Sequence, residues 1–323
     1  MSMKALERHL QPLMTYLLTD GVTEICINRP GELFVEKNSQ FYRYEVPELE
    51  YRFLESLAGL VAEFNSKDFP TPLVSGSLPM GERVQFVLPP ACEKGHIVCS
   101  IRRHQRRDLT IDEYEQSGAF MGFVNKSRVD HSLKKYYHDQ NIPAFIKYAI
   151  QTRKNILICG GTGTGKTTFL NACLKYVPLH ERLITVEDAR EVSIPHPNAA
   201  HLLFNEEDKQ ITSLNIFKAC LRLRPDRIFL SELRGSEVWP FLRAANSGHP
   251  GSLSTLHADS PEGAFTQLVF MMQQAGSTSN EEQLRHYIKS IIHVVIQLKR
   301  DPERFMRVDH IWLGENALEN VGK

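Results

Sequence analysis

The chain carries no excess charge of either sign. Lys and Arg total 38 across 323 residues, and Asp and Glu total the same number. That balance removes the broad basic field expected of a protein that coats nucleic acid, although local basic patches stay open. Nor is there an uninterrupted apolar run near the roughly 18 residues a membrane-spanning helix needs. The nearest, YIKSIIHVVIQL, is broken by Lys289 and His293. The six cysteines (Cys26, Cys92, Cys99, Cys159, Cys173, Cys220) include no CxxC and no paired metal-ligand spacing. Neither a zinc module nor a disulfide scaffold is expected, and free thiols fit a reducing compartment. No stretch interleaves basic residues with aromatics over a length that would grip a single strand of nucleic acid. Repeats and low-complexity tracts are missing too. The opening MSMKALERHLQPLMTYLL is no signal peptide, because Glu7, Arg8, His9 and Gln11 interrupt its apolar residues. It reads as an amphipathic helix with Leu6, Leu10, Leu13, Met14 and Leu17 on one face. These exclusions leave a soluble chain, long enough for two domains with separate cores.

What the chain does contain divides into three textures. Up to Arg102, short alternating runs (VTEICI, ELFVE, FYRYEV, RVQFVL, HIVCSIR) surround one helical segment at about 48–64. The first turn is the tetrad Asn28-Arg29-Pro30-Gly31. This predicts an α+β domain over 1–102 with antiparallel character. Residues 103–140 are charged, open on Arg102, Arg103, Arg106 and Arg107, and read as a connector with one or two short helices. From 141 to 323, apolar runs such as NILICG, RLITVED, RIFLSE and SLSTLH alternate with helical stretches. The expected fold is therefore α/β, a RecA-like parallel sheet covered on both faces, preceded by the smaller α+β domain.

The chemistry concentrates at the ends of these strands. GGTGTGKTT (160–168) satisfies G-x-x-x-x-G-K-[ST] between an apolar strand and a helix. Gly160, Thr162, Gly163, Thr164 and Gly165 let the backbone wrap phosphate oxygens and turn its N–H groups inward. The helix starting at Lys166 adds its positive end. Lys166 is expected on the β- and γ-phosphates of ATP, Thr167 on Mg²⁺, and Thr168 beside them. Hydrolysis also needs acidic groups at neighbouring strand ends. Glu187, ending LITV, is expected to orient the attacking water. Glu232, ending IFLS, holds the Mg²⁺ side through a bound water, because Ser231 stands where an Asp would be usual. His257 ends SLSTL and is a candidate sensor of the γ-phosphate, though thirteen histidines make that position unexceptional on its own.

In order, these blocks resemble the secretion-ATPase superfamily, and within it the traffic ATPases of bacterial type IV secretion systems. The resemblance rests on the Walker A loop, ITVEDARE (184–191), RLRPDRIFLSELRG (222–235) and GHPGSLSTLHADS (248–260). In the first half it rests on EICINRPGELFVE (24–36), LPMGERVQFVLPPA (78–91) and SIRRH (100–104). The second and fourth C-terminal blocks are similar to the family's Asp box and His box, and the third to its atypical Walker B. The four-Cys zinc insertion of type II secretion ATPases is missing, which favours the type IV branch. The resemblance implies a homohexamer with nucleotide held between the two domains. Arg102 and Arg103, with Arg106 or Arg107, would reach the phosphates; Arg222, Arg224 and Arg234 are further candidates, acting across a subunit boundary. It also implies cytoplasmic work at the inner membrane with peripheral contact, and partners among the inner-membrane and coupling subunits of the system. DNA or protein cargo would be moved indirectly by domain motion. The competing expectations are a pilus extension or retraction ATPase, a DNA-translocating motor, and a nucleotide-gated scaffold.

Overall fold

The computed structural model describes residues 2–103, 110–121, 130–303 and 305–318. Alternation of apolar and polar residues builds the first sheet: β1 (Val22–Ile27), β2 (Glu32–Lys37), β3 (Gln40–Glu45), β4 (Leu73–Ser77), β5 (Arg83–Val87) and β6 (Val98–Arg102). All its pairings are antiparallel, in the order β3-β2-β1-β6-β5-β4. One face carries Ile25, Val84, Phe86, Cys99 and Ile101 into a core shared with α1 (Ser2–His9), α2 (Gln11–Leu17) and α3 (Tyr51–Phe64). The amphipathic reading of the N-terminus is met there: Leu6, Leu10, Leu13 and Leu17 are all buried. The period of two sends Glu24, Cys26, Ser100 and Arg102 to the opposite face, which turns toward the second half of the chain.

That face has a titration consequence. Glu24 is buried and accepts a hydrogen bond from Ser100. Burial pushes its carboxyl from 4.5 up to about 7. Between those values the folded state keeps a proton that the unfolded chain releases, so stability falls as pH rises through the window, by at most about 3 kcal/mol. His201 and His293 act oppositely: burial lowers both to about 4, so their contribution grows with pH up to about 6.5. Glu24→Gln should therefore raise the melting temperature over the parent at pH 8 and lose that advantage at pH 5. An equal difference at both pH values would remove Glu24 as the cause.

The second sheet is mostly parallel. Its strands are β7 (Ile156–Gly160), β8 (Leu183–Glu187), β9 (Ala199–Leu203), β10 (Arg227–Leu233), β11 (Leu253–Leu256), β12 (Val294–Asp301) and β13 (Phe305–Leu313), in the order β13-β12-β7-β11-β10-β8-β9. Only the β12–β13 pair is antiparallel. One face is covered by α8 (Ser213–Cys220), α9 (Val238–Asn246), α10 (Pro261–Gln274) and α11 (Glu281–Ile291). The other is covered by α5 (His131–His138), α6 (Ile142–Gln151) and α7 (Lys166–Leu174). Between the halves lies α4 (Ile111–Gln116), started by a capping box of Thr110 and Glu113. Leu133 of α5 is buried in the second half's core, so the 103–140 stretch joins that core from Asp130 onward. Two elements lack a sequence signal. AAHLL forms β9 although alanine is a poor strand former, and VWPFLRAAN forms α9 around Pro240, tolerated in a first turn.

The halves are fastened by polar contacts. Leu203 N donates to Ala91 O at 2.8 Å, Arg182 donates to Asn28 at 2.7 Å, and Arg224 pairs with Glu36. Among the described residues no helix is long and apolar enough to cross a membrane.

Candidate active site

The strand–loop–helix unit at 156–174 builds the site. Gly163 (φ +72°) and Gly165 (φ +80°) lie in the left-handed region, where a side chain would be strained. A Cβ on Gly163 would meet nothing within 4 Å, so the loop's outer side is open. Gly165 caps α7, whose first N–H groups face the loop. Gly160 ends β7 so close to Leu298 O that an added Cβ would sit 2.7 Å from it. Thr164 is buried and donates to Gly161 O at 2.9 Å; Thr162 and Thr168 are exposed.

Lys166 is nearly buried, at 9% exposure. Its ammonium donates to Gly160 O (3.0 Å) and Gly161 O (3.2 Å), and lies 3.3 Å from each ring nitrogen of His257. Burial holds its pKa below the usual lysine value, with the negative charge of Glu232 working the other way. His257 Nε2 is 2.8 Å from Glu232 Oε1, and Arg234 grips Glu232 Oε2 at 2.6 Å and Asp188 Oδ2 at 2.6 Å. The sheet order explains the gathering. β11 and β10 are the next two strands beside β7, so His257 and Glu232 arrive at the edge where the P-loop opens.

Glu187 is also at that edge, two strands beyond β11, but its carboxylate is already used. It is 0% exposed and accepts from Thr185 Oγ1, Arg190 Nη1, Glu191 N and Val192 N, each at 2.7 Å. Both oxygens accept internal donors, three of them from the loop at 188–192, which the carboxylate anchors in this structure. That loop delivers a carboxylate the sequence reading did not single out. Thr167 Oγ1 donates to Glu191 Oε2 at 3.2 Å. Only the closing letter of ITVEDARE could have pointed to it.

Arg102 and Arg103 lie away from this chain's own P-loop. Arg102 lines a cavity of about 580 Å³ together with Arg83, Arg222, Arg224 and His249. Arg224 and His249 precede β10 and β11, at the end of the sheet opposite the P-loop, roughly 15 Å away along a five-residue strand. Arg103 donates to Thr19 O at 2.8 Å within the first half. Neither reaches this chain's own phosphate loop, because the first half packs along β9 and α8. The side chains of Arg83, Arg102 and Arg222 have no hydrogen bond or ion pair among the described residues, whereas that of Arg224 is held by Glu36 and Asp226. Arg106 and Arg107 lie outside the described residues.

The residues at the P-loop fit a divalent cation. Glu232 Oε1 is a buried oxygen that accepts no hydrogen bond among the described residues, its contact with His257 being off-line. Thr167 and Glu191 supply further oxygens. No group of three or more His, Cys, Asp or Glu among the described residues could hold a metal unaided, so such a cation would also need phosphate oxygens.

Comparison with known proteins gives consistent matches over nearly the whole chain. The family model described as "Type II/IV secretion system protein" matches residues 7–313. The "Type IV secretion system protein VirB11" of Brucella suis is 38% identical over 304 residues, 90% of this chain and 84% of that protein. The "Type IV secretion system protein PtlH" of Bordetella pertussis is 36% identical, over 90% of this chain and 89% of that protein. The crystal structure of the Brucella suis VirB11 ATPase in complex with sulphate superposes with a TM-score of 0.93 at 35% identity, covering 98% of this chain and 96% of that one.

Proposed function

Because the chain belongs to the type II/IV secretion system protein family, as a type IV secretion ATPase, we propose that it is one subunit of a homohexameric ring whose ATP sites are completed between neighbours. The observation that carries this reading is the opposition of two edges. Lys166, His257 and Glu232 gather at one end of the parallel sheet, while unpaired Arg83, Arg102 and Arg222 face a cavity at the other. Head-to-tail packing closes a ring by setting one edge of each copy against the opposite edge of the next. Arginine then meets the neighbour's triphosphate with the bidentate geometry that phosphate accepts.

On this reading Lys166 leaves the Gly160 and Gly161 carbonyls for the β- and γ-phosphates, and the 163–167 amides hold the remaining oxygens. His257 follows the shift of Lys166 and reports γ-phosphate occupancy to Glu232. Mg²⁺ bound with the nucleotide would draw charge from the transferred phosphoryl group. Thr167 and Glu191 lie on its side, and Glu232, through its free Oε1, positions the attacking water. Hydrolysis releases the arginine grip and lets the domains move, a ligand-biased hinge equilibrium. The domains correspond to 1–102 and the P-loop half, whose core begins near Asp130. The motion serves secretion-channel subunits at the cytoplasmic face of the inner membrane, with peripheral membrane contact. Pilus assembly and hand-over of DNA or protein cargo would draw on it.

The test is complementation between two inactive variants. Lys166→Ala retains the arginine face, and Arg102→Ala/Arg222→Ala retains the P-loop. Mixed at equal ratio and reassembled, about a quarter of interfaces pair an intact loop with intact arginines, and turnover should return to roughly that share. No recovery in mixed rings would overturn completion between neighbours.

A further inference from the structure

One polar line runs without a break from the N-terminal half to the P-loop. Glu93 follows β5 in the first half, and its Oε1 accepts from Arg190 Nε at 3.0 Å. Arg190 Nη1 donates to Glu187 Oε1 and to Val192 O, both at 2.7 Å. Glu187 Oε2 accepts from the amides of Glu191 and Val192, and Glu191 Oε2 receives Thr167 Oγ1 at 3.2 Å. Arg190 thus joins Glu93 of the first half to Glu187 of the second, and it clamps the loop at 188–192 from two sides.

We propose that Glu93 is a positioning residue for the ATPase reaction: acting through Arg190, it sets Glu191 against Thr167, so cation use at the P-loop depends on docking of the N-terminal half.

The geometry gives this direction. Glu187 is buried and fixed by Thr185 from its own strand, so the base of the loop does not depend on Glu93. The Arg190 side chain is 29% exposed, and Glu93 is the acceptor that orients its Nε side. Without Glu93 the guanidinium keeps one oxygen of Glu187 but loses its fixed plane, and its bond to Val192 O weakens. The loop then samples positions in which Glu191 leaves Thr167. His96 lies 3.3 Å from Glu93, and His201 lies 3.8 Å from Glu187, the latter kept neutral by burial near neutral pH. Neither replaces the carboxylate. Reciprocity follows by linkage: if docking favours Mg²⁺–ATP binding, Mg²⁺–ATP favours docking by the same factor. The contact then lets the site report its occupancy to the N-terminal half.

This inference rests on the assignment of Glu191 to the cation side, and the experiment separates the two. Four proteins are compared in full-length form: the parent, Glu93→Gln, Glu93→Asp and Glu191→Gln. Amide hydrogen exchange is read without nucleotide, and the Mg²⁺ dependence of ATP binding is read by calorimetry. Glu93→Gln should speed exchange of the Glu191 and Val192 amides about threefold to tenfold and leave β12 amides unchanged. It should raise the Mg²⁺ concentration needed for half-maximal ATP binding by a similar factor, and Glu93→Asp should restore part of both. Uniform acceleration across the second sheet would reduce Glu93 to a structural contact and overturn the proposal. If Glu191→Gln leaves the Mg²⁺ dependence unmoved, the cation-side assignment fails. If Glu191→Gln moves it and Glu93→Gln does not, the relay alone fails.

Discussion

Lys166→Ala is expected to eliminate ATP turnover, by about a thousandfold or more, while the protein still folds and assembles. The size follows from the position. The ammonium is nearly buried, and burial holds its pKa below the usual lysine value, so its charge is poorly screened and acts strongly on phosphate oxygens. With it removed, charge developing on the γ-phosphate in the transition state meets only backbone N–H groups and the helix end. Folding is spared for three reasons. Alanine is the best helix former, Lys166 opens α7, and its carbonyl partners are backbone groups at the end of β7 and the start of the loop, whose course the side chain does not set. Lys166→Arg should fail similarly, because a broad planar guanidinium does not replace a compact ammonium on the β- and γ-phosphates in a nearly buried position. Phosphate release and size-exclusion profiles of the same samples decide the matter. Turnover within tenfold of the parent, with assembly intact, would remove Lys166 from the reaction.

The parts of this site legible in the sequence are those fixed by local backbone demands. A phosphate loop must carry glycines at positive φ, as Gly163 and Gly165 do, and must sit between strand and helix, so an eight-residue motif discloses it. Glu232 and His257 were legible because parallel strands deliver their last residues to one edge. Glu191 was not, since the loop after β8 has no periodicity and its course is set by four bonds to one buried carboxylate. Glu187 is ambiguous in sequence for the same reason: an acid at a strand end looks alike whether it faces substrate or its own backbone. The distance of Arg102 and Arg103 from this chain's own P-loop has a different origin. Their strand was readable from its alternation, but which face of the second half receives it depends on Asn28, Glu36 and Cys92 meeting Arg182, Arg224 and Leu202. Those contacts join residues more than a hundred positions apart and leave no local pattern.

The two carboxylates at the sheet edge should therefore give opposite phenotypes. Glu187→Ala removes an acceptor from four donors inside the protein, leaving Arg190 and two backbone amides without their partner. Breaking a buried charged pair of this kind costs about 3–5 kcal/mol, or roughly 10 °C of melting temperature for a domain of this size. Turnover would fall with it because the loop bearing Glu191 is released. Glu232→Gln is nearly isosteric and keeps an oxygen for Arg234, and the Oε1 side it changes accepts no hydrogen bond among the described residues. Its melting temperature should stay within about 2 °C of the parent. Its turnover should fall by about a hundredfold to a thousandfold, with ATP binding retained, because only the orientation of the attacking water is lost. Differential scanning calorimetry beside single-turnover kinetics distinguishes the pair. A stable Glu187→Ala that binds ATP and cannot hydrolyse it would return the water to Glu187. A Glu232→Gln variant that turns over normally would leave the free oxygen of Glu232 without a part in the reaction, and the edge chemistry would then rest on Lys166 and the neighbour's arginines alone.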